Sequence, residues 1–322
     1  MLSRTADHLF WMARYMERAE NTARMLDVNY QTGLLPQHDD NAEEEGWRGL
    51  LSISELTLSF SKKYEQVTAR NVMEFMVRDE TNPSSIASCV GAARENARAV
   101  RGALTTEVWE TQNQTWLEFM RVLKDPAFER DPSSLFEWVK FRSHLSRGVT
   151  VGTMLQDEAL HFLRIGTFLE RADNTARLLD VKFQALAGGD YFGPTAAKEG
   201  LEVDFYHWSA ILRSVSGFEI YRKVYRNVIH PEKVAELLIM RPDMPRSLAA
   251  CLNDLVLNLE MVSNRQSSET VRRAGRLRAD LKYVHIDEIL ATGLHAYLTQ
   301  FLDRVNDIGV GISRDFLVPM AA

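Results

Sequence analysis

Apolar residues recur along this chain at alternating steps of three and four. Leu9, Met12, Met16, Ala19, Ala23, Leu26 and Tyr30 form one such seam, which predicts an amphipathic helix. The same period predicts helices over 47–64, 84–104, 107–122, 134–147, 205–228, 232–241, 246–263, 268–283 and 286–315. Asn82-Pro83 and Met244-Pro245 read as helix starts, because a proline at the first helical position lacks an N–H that would have no partner there. Loops are predicted at 32–46, 124–134 and 187–200, where Gly, Pro and acidic residues cluster. No segment alternates as a strand would. The fold class is all-α, a helical bundle.

The chain also matches itself. Met1–Gln31 aligns with Met154–Gln184 without gaps, and 15 of the 31 positions are identical. Trp47, Leu51 and Tyr64 recur as Trp208, Leu212 and Tyr225, and Val72, Glu74, Pro83, Ser85, Cys89 and Asn96 as Val234, Glu236, Pro245, Ser247, Cys251 and Asn258. Two repeats, 1–153 and 154–322, packed about a pseudo-twofold axis as a single domain, are therefore expected.

Between the matched segments the apolar positions drift while the polar ones hold. Glu17, Arg18, Asn21, Arg24 and Asp27 become Glu170, Arg171, Asn174, Arg177 and Asp180. A solvated face has no physical reason to keep its polar residues better than its core. Glu17, Glu20, Arg24 and Asp27 make one stripe beside the seam, with Glu20–Arg24 and Asp173–Arg177 as favourable i,i+4 ion pairs. The stripe is expected to pair with Arg18 or Arg171 of the other repeat. Two roles stay open at this point: a buried structural network, or a cleft holding a polar ligand.

These same residues carry a family resemblance. The doubled ER-A-x-N-T-A-R-x-L-D-V, with NPSSIASCVGAARENARAVR and YVHIDEILATGLHAYL, resembles the bacterial alpha-E family over nearly the whole chain. The resemblance implies an all-helical protein whose genes lie beside those for ATP-grasp ligase-like and transglutaminase-like proteins. It implies a protein partner of that kind in peptide ligation or processing, and a peptide or amino-acid ligand. It carries over no catalytic residues.

Composition narrows the classes. At 322 residues with 45% apolar and 25% charged positions, the chain has the profile of a globular protein able to bury a large core. No apolar run reaches membrane-spanning length, so no membrane association is expected. Charged residues near the N-terminus argue against a signal peptide, and two cysteines point to a reducing, cytoplasmic setting. The net charge of −6 argues against nucleic-acid binding.

Other candidate chemistry is sparse. Arg94, Arg98 and Arg101 form a basic stripe whose counterparts Val256, Glu260 and Ser263 are not basic, a possible anion site in one repeat alone. A carboxylate-bridged metal site would need Glu-x-x-His, and neither repeated helix has it. His8 and His161 lie nine residues before the glutamates, about 13.5 Å along a helix, so one ion cannot meet both. His285, Glu288 and His295 share a helical stripe, but only His285 and Glu288 are close enough to share an ion. Cys89 and Cys251 read as small buried hydrophobes. No phosphate loop, dinucleotide fingerprint or nucleophile elbow occurs. No cofactor and no metal are expected. The functional expectation is a partner or ligand-binding component without a nucleotide site. Alternatives are an enzyme acting on amide bonds through Glu17 or Glu170, and a helical metal-binding protein.

Overall fold

The computed structural model describes residues 1–34, 42–125, 130–186 and 201–317. The loop expected at 187–200 lies outside them, as do parts of the other two. Fifteen α-helices and no strand occur among the described residues.

In chain order the helices are α1 (Ser3–Gly33), α2 (Ala42–Ile53), α3 (Thr57–Ser61), α4 (Ala69–Val77) and α5 (Ile86–Ala99). A 3-10 turn, Arg101–Ala103, leads to α6 (Thr106–Val122), α7 (Pro132–Thr153) and α8 (Glu158–Leu186). Then come α9 (Leu201–Ser214), α10 (Phe218–Tyr225), α11 (Pro231–Met240) and α12 (Leu248–Met261). The last three are α13 (Ser268–Tyr283), α14 (Ile286–Thr292) and α15 (Leu294–Phe316).

The two longest helices, α1 and α8, lie against each other at the centre. Helices α5 and α7 flank α1, with α6 packed against both, while α12 and α15 flank α8, with α13 against both. The shorter second helices cross over: α2 packs mainly on α8, and α9 mainly on α1. Trp47 on α2 and Trp208 on α9 are fully buried there. Small residues let the central pair approach. Ala19, Ala23, Ala172 and Ala176 are inaccessible to solvent, and a Cβ added at Gly166 would sit 2.3 Å from the Phe10 carbonyl oxygen.

Several helix ends differ from the sequence expectation, each for a local reason. The helices after Pro83 and Pro245 begin at Ile86 and Leu248, three residues beyond the prolines. Ser85 and Ser247 are the N-caps instead: their hydroxyls accept from the backbone N–H of Ser88 (3.1 Å) and Ala250 (3.0 Å), groups that would otherwise lack a partner. The run 47–64 breaks after Ile53, where Glu55 adopts φ 56° and the Leu56 N–H donates to the Leu51 carbonyl. The run 205–228 breaks in the same way, with Ser216 at φ 53° and the Gly217 N–H donating to Leu212. Both are left-handed C-caps closed by a six-to-one bond. Gly293, at φ 95°, divides 286–315 into α14 and α15.

Candidate functional site

The repeated polar stripe faces largely inward. Glu17 is 1% exposed and Glu20 is inaccessible, although both are carboxylates on α1. Arg171, from α8, donates Nε to Glu17 Oε1 at 2.9 Å and Nη2 to Oε2 at 2.8 Å, a bidentate fork. The converse pair is also made: Arg18, from α1, donates Nε and Nη2 to Glu170 on α8 at 2.6 and 3.2 Å. Each Glu-Arg dipeptide thus exchanges its charges with the other across the central helix contact. Arg14 adds a bond to Glu170 at 2.7 Å.

The cluster around Glu17 is richer. Arg246, in the turn leading to α12, donates to Glu17 at 2.9 Å, to Asn21 Oδ1 at 2.9 Å and to Glu20. Arg24 closes on Glu20 at 2.9 Å and sends Nη1 to the Ser216 hydroxyl at 2.6 Å. From α7, Ser143 donates to Glu20 at 2.7 Å, and Arg147 bonds both Glu20 and Glu17. Four guanidiniums therefore surround two carboxylates, an excess of two positive charges. All four oxygens of Glu17 and Glu170 have partners.

Electrostatics follow from this crowding. Burial alone would raise the Glu17 carboxyl, but Arg171 and Arg246 outweigh it and hold it at about 2. Burial likewise opposes ionisation of Glu20, which Arg246, Arg147 and Arg24 drive well below the usual range. Glu170 is lowered by Arg14 and Arg18 against its own burial. Arg246 is shifted downward, because burial and the neighbouring Arg171 and Arg24 exceed the pull of the two glutamates.

The outer members of the stripe are tied elsewhere. Asp27 accepts from Lys140 (2.8 Å) and Gln31 (3.0 Å). Arg177 pairs with Asp173 at 2.8 Å and reaches Glu55, while Asp180 Oδ1 lies 2.6 Å from His295 Nδ1. Asn174 is half-buried on α8. Sequence reasoning had not singled out Arg147, Arg246, Ser143, Ser216 or Glu55. A signal existed for Arg246: it stands between the matched Pro245 and Ser247, where the first segment has Ser84, whose hydroxyl is 3.4 Å from Arg18.

The remaining candidates do not converge. Arg94 bonds Asn113 and Glu95, Arg98 pairs with Glu95, and Arg101 has left the helix to lie 5.6 Å from the Trp109 ring. The break at Gly293 puts His295 on a different helix from His285 and Glu288, so the three share no stripe. His8 and His161 each place Nδ1 2.8 Å from an asparagine, Asn96 and Asn258. Among the described residues no group of three or more His, Cys, Asp or Glu side chains is placed to hold a metal ion. No described helix is long and apolar enough to cross a membrane.

Cys89 and Cys251 are fully buried, and burial pushes both thiols up to about 12. Neither is expected to react with Ellman's reagent in the native protein, and both in denaturant. Fast labelling of the folded chain would overturn this.

One cavity, of about 170 Å³, opens toward the network between α1, α7, α8 and α12. Glu17, Arg147 and Arg171 line it together with apolar side chains of α1 and α8.

Comparison with known proteins identifies a family. A family model described as "a predicted alpha-helical domain with a conserved ER motif", Alpha-E, matches residues 1–317. An uncharacterized protein of Mycobacterium bovis is 25% identical over 94% of this chain, and one of Mycobacterium tuberculosis is 24% identical over the same share. This chain spans only 35% of the length of either. No solved structure matches it. With its two Glu-Arg dipeptides bridging the central helices and a family match running almost end to end, the chain belongs to the Alpha-E family.

Proposed function

We propose that this protein is a partner or ligand-binding component, without a nucleotide site, of a peptide-ligating or peptide-processing system containing ATP-grasp-like and transglutaminase-like proteins. It works in the cytoplasm, apart from membranes and nucleic acid. Its chain is a duplication, with repeats at 1–153 and 154–322 related by a pseudo-twofold axis along the α1–α8 contact. The reciprocal Glu17–Arg171 and Glu170–Arg18 bridges support that axis, as do the paired His8–Asn96 and His161–Asn258 contacts. So do Glu55 and Ser216, equivalent left-handed caps whose side chains each receive an arginine from the opposite repeat.

The observation that favours binding over catalysis is the state of the two glutamates. A general acid or base works best with a pKa near the working pH, and both groups are driven the other way while fully paired. The stripe from Glu17, Arg18, Asn21, Arg24 and Asp27 to its counterparts then acts as an internal frame that fixes the helices around the cavity. The test is co-expression with an ATP-grasp-like protein from the same genome, the kind of partner the family resemblance implies. A stable complex is expected on size exclusion with light scattering. Two proteins that elute separately at micromolar concentration would overturn the reading.

A further inference from the structure

The cavity holds two charges that the network does not use. Arg164, on α8, and Asp254, on α12, both line it, and neither makes an ion pair within 4 Å among the described residues. Arg164 is the strongest charge lowering the Asp254 carboxyl, yet burial keeps that carboxyl above its ordinary value. Both side chains are half-buried, and opposite charges held apart on the walls of one cleft suit a zwitterion of matching charge. Met12, Met16, Leu160, Leu163 and Phe168 supply the apolar wall.

The same place in the other repeat is lined differently. By the sequence alignment Arg164, Thr167 and Asp254 correspond to Trp11, Arg14 and Ala92. There Arg14 lies 4.8 Å from the Trp11 ring and its Nε bonds Glu170. Packing has been exchanged on one side for a hollow with an acid and a base. Loss of a large aromatic explains the space, but not the new acid: the arginine stands one helical turn earlier than Arg14 does, and Asp254 replaces an alanine.

We propose that this cavity binds a single α-amino acid with an apolar side chain. The ligand carboxylate meets Arg164, with the positive excess of the network behind it; the ammonium meets Asp254; the side chain lies among the methionines and Phe168. The volume is small against the roughly 300 Å³ at which drug-sized pockets begin, which suits one residue rather than a peptide. The proposal rests on the ligand-binding reading above and sharpens it to a site and a class.

Calorimetric titration of the full chain with L-leucine tests it, alongside L-methionine and L-phenylalanine. Two truncated probes accompany them: 4-methylpentanoate, which lacks the amine, and 3-methylbutylamine, which lacks the carboxylate. One-to-one binding of at least one amino acid is expected, with both truncated probes at least about tenfold weaker. Arg164→Gln and Asp254→Asn are each expected to weaken it by about tenfold or more while leaving the melting temperature unchanged, since neither change strands an ion-pair partner. No binding to any of the three amino acids at millimolar concentration would overturn the proposal. So would equal binding of the truncated probes, or variants that bind like the parent. The wider reading is scored separately, because neither substitution is expected to alter the complex with the ATP-grasp-like protein.

Discussion

Truncating Glu17 to alanine is expected to destabilise the fold by about 3–5 kcal/mol, the cost of leaving buried charge without its partner. The carboxylate is 1% exposed and is shared by Arg171, Arg246 and Arg147, so its removal raises an existing excess of positive charge with little water to screen it. Glu17→Gln keeps the shape and one acceptor oxygen, and is expected to fall between the alanine variant and the parent. Urea midpoints decide the matter, and a loss below about 1 kcal/mol for the alanine variant would mean that the network is ornamental. The same group sets an acid limit. Its pKa is about 2 when folded against an ordinary 4.5, so its contribution is complete above 4.5 and is lost as the pH falls through about 2. In that window the parent is expected to lose stability more steeply than Glu17→Ala.

Gly166→Ala is expected to cost about 1–3 kcal/mol despite replacing glycine inside a helix. Alanine at an open helical position gains about 1 kcal/mol, and Gly148 on α7 offers the comparison, since an added Cβ there meets nothing within 4 Å. At Gly166 the new Cβ would lie 2.3 Å from the Phe10 carbonyl oxygen, well inside contact distance. Both atoms belong to helix backbones, so relief requires α1 and α8 to move apart along their whole contact, loosening the fork between Glu17 and Arg171 as well. Thermal melts of Gly166→Ala and Gly148→Ala side by side check this. Equal melting temperatures would show that the central contact yields freely.

Much of this was legible in the sequence. The period of three and four located the long helices, and the self-match singled out the residues that bridge them. What periodicity missed were the breaks at Glu55 and Ser216, because a left-handed cap on a non-glycine residue leaves no compositional mark. The proline rule placed two helix starts three residues early, since Ser85 and Ser247 compete for the same role with a hydroxyl that satisfies the backbone. The network was half visible. Charges on one helix show their spacing, and the reciprocal partners follow from the alignment. Arg147 and Arg246 come from elsewhere in the chain, and a lone arginine carries no periodic signature. The cavity was not visible at all, because it depends on the absence of an aromatic at Arg164 and on an aspartate nearly two turns into α12 that belongs to no recognisable motif.

The crossing of α2 onto α8 and of α9 onto α1 has a consequence for how the molecule comes apart. Each half of the chain lends a buried tryptophan-bearing helix to the central helix of the other half, so the two halves share one apolar interior. Loosening one bares surface on both, and a partly opened form would carry the cost of each exposed face without the freedom of a separated piece. A chain of this length would ordinarily pass through stages as its parts let go in turn. Here the exchange of helices ties those stages together, and a single unfolding transition is expected, coincident by circular dichroism and tryptophan fluorescence.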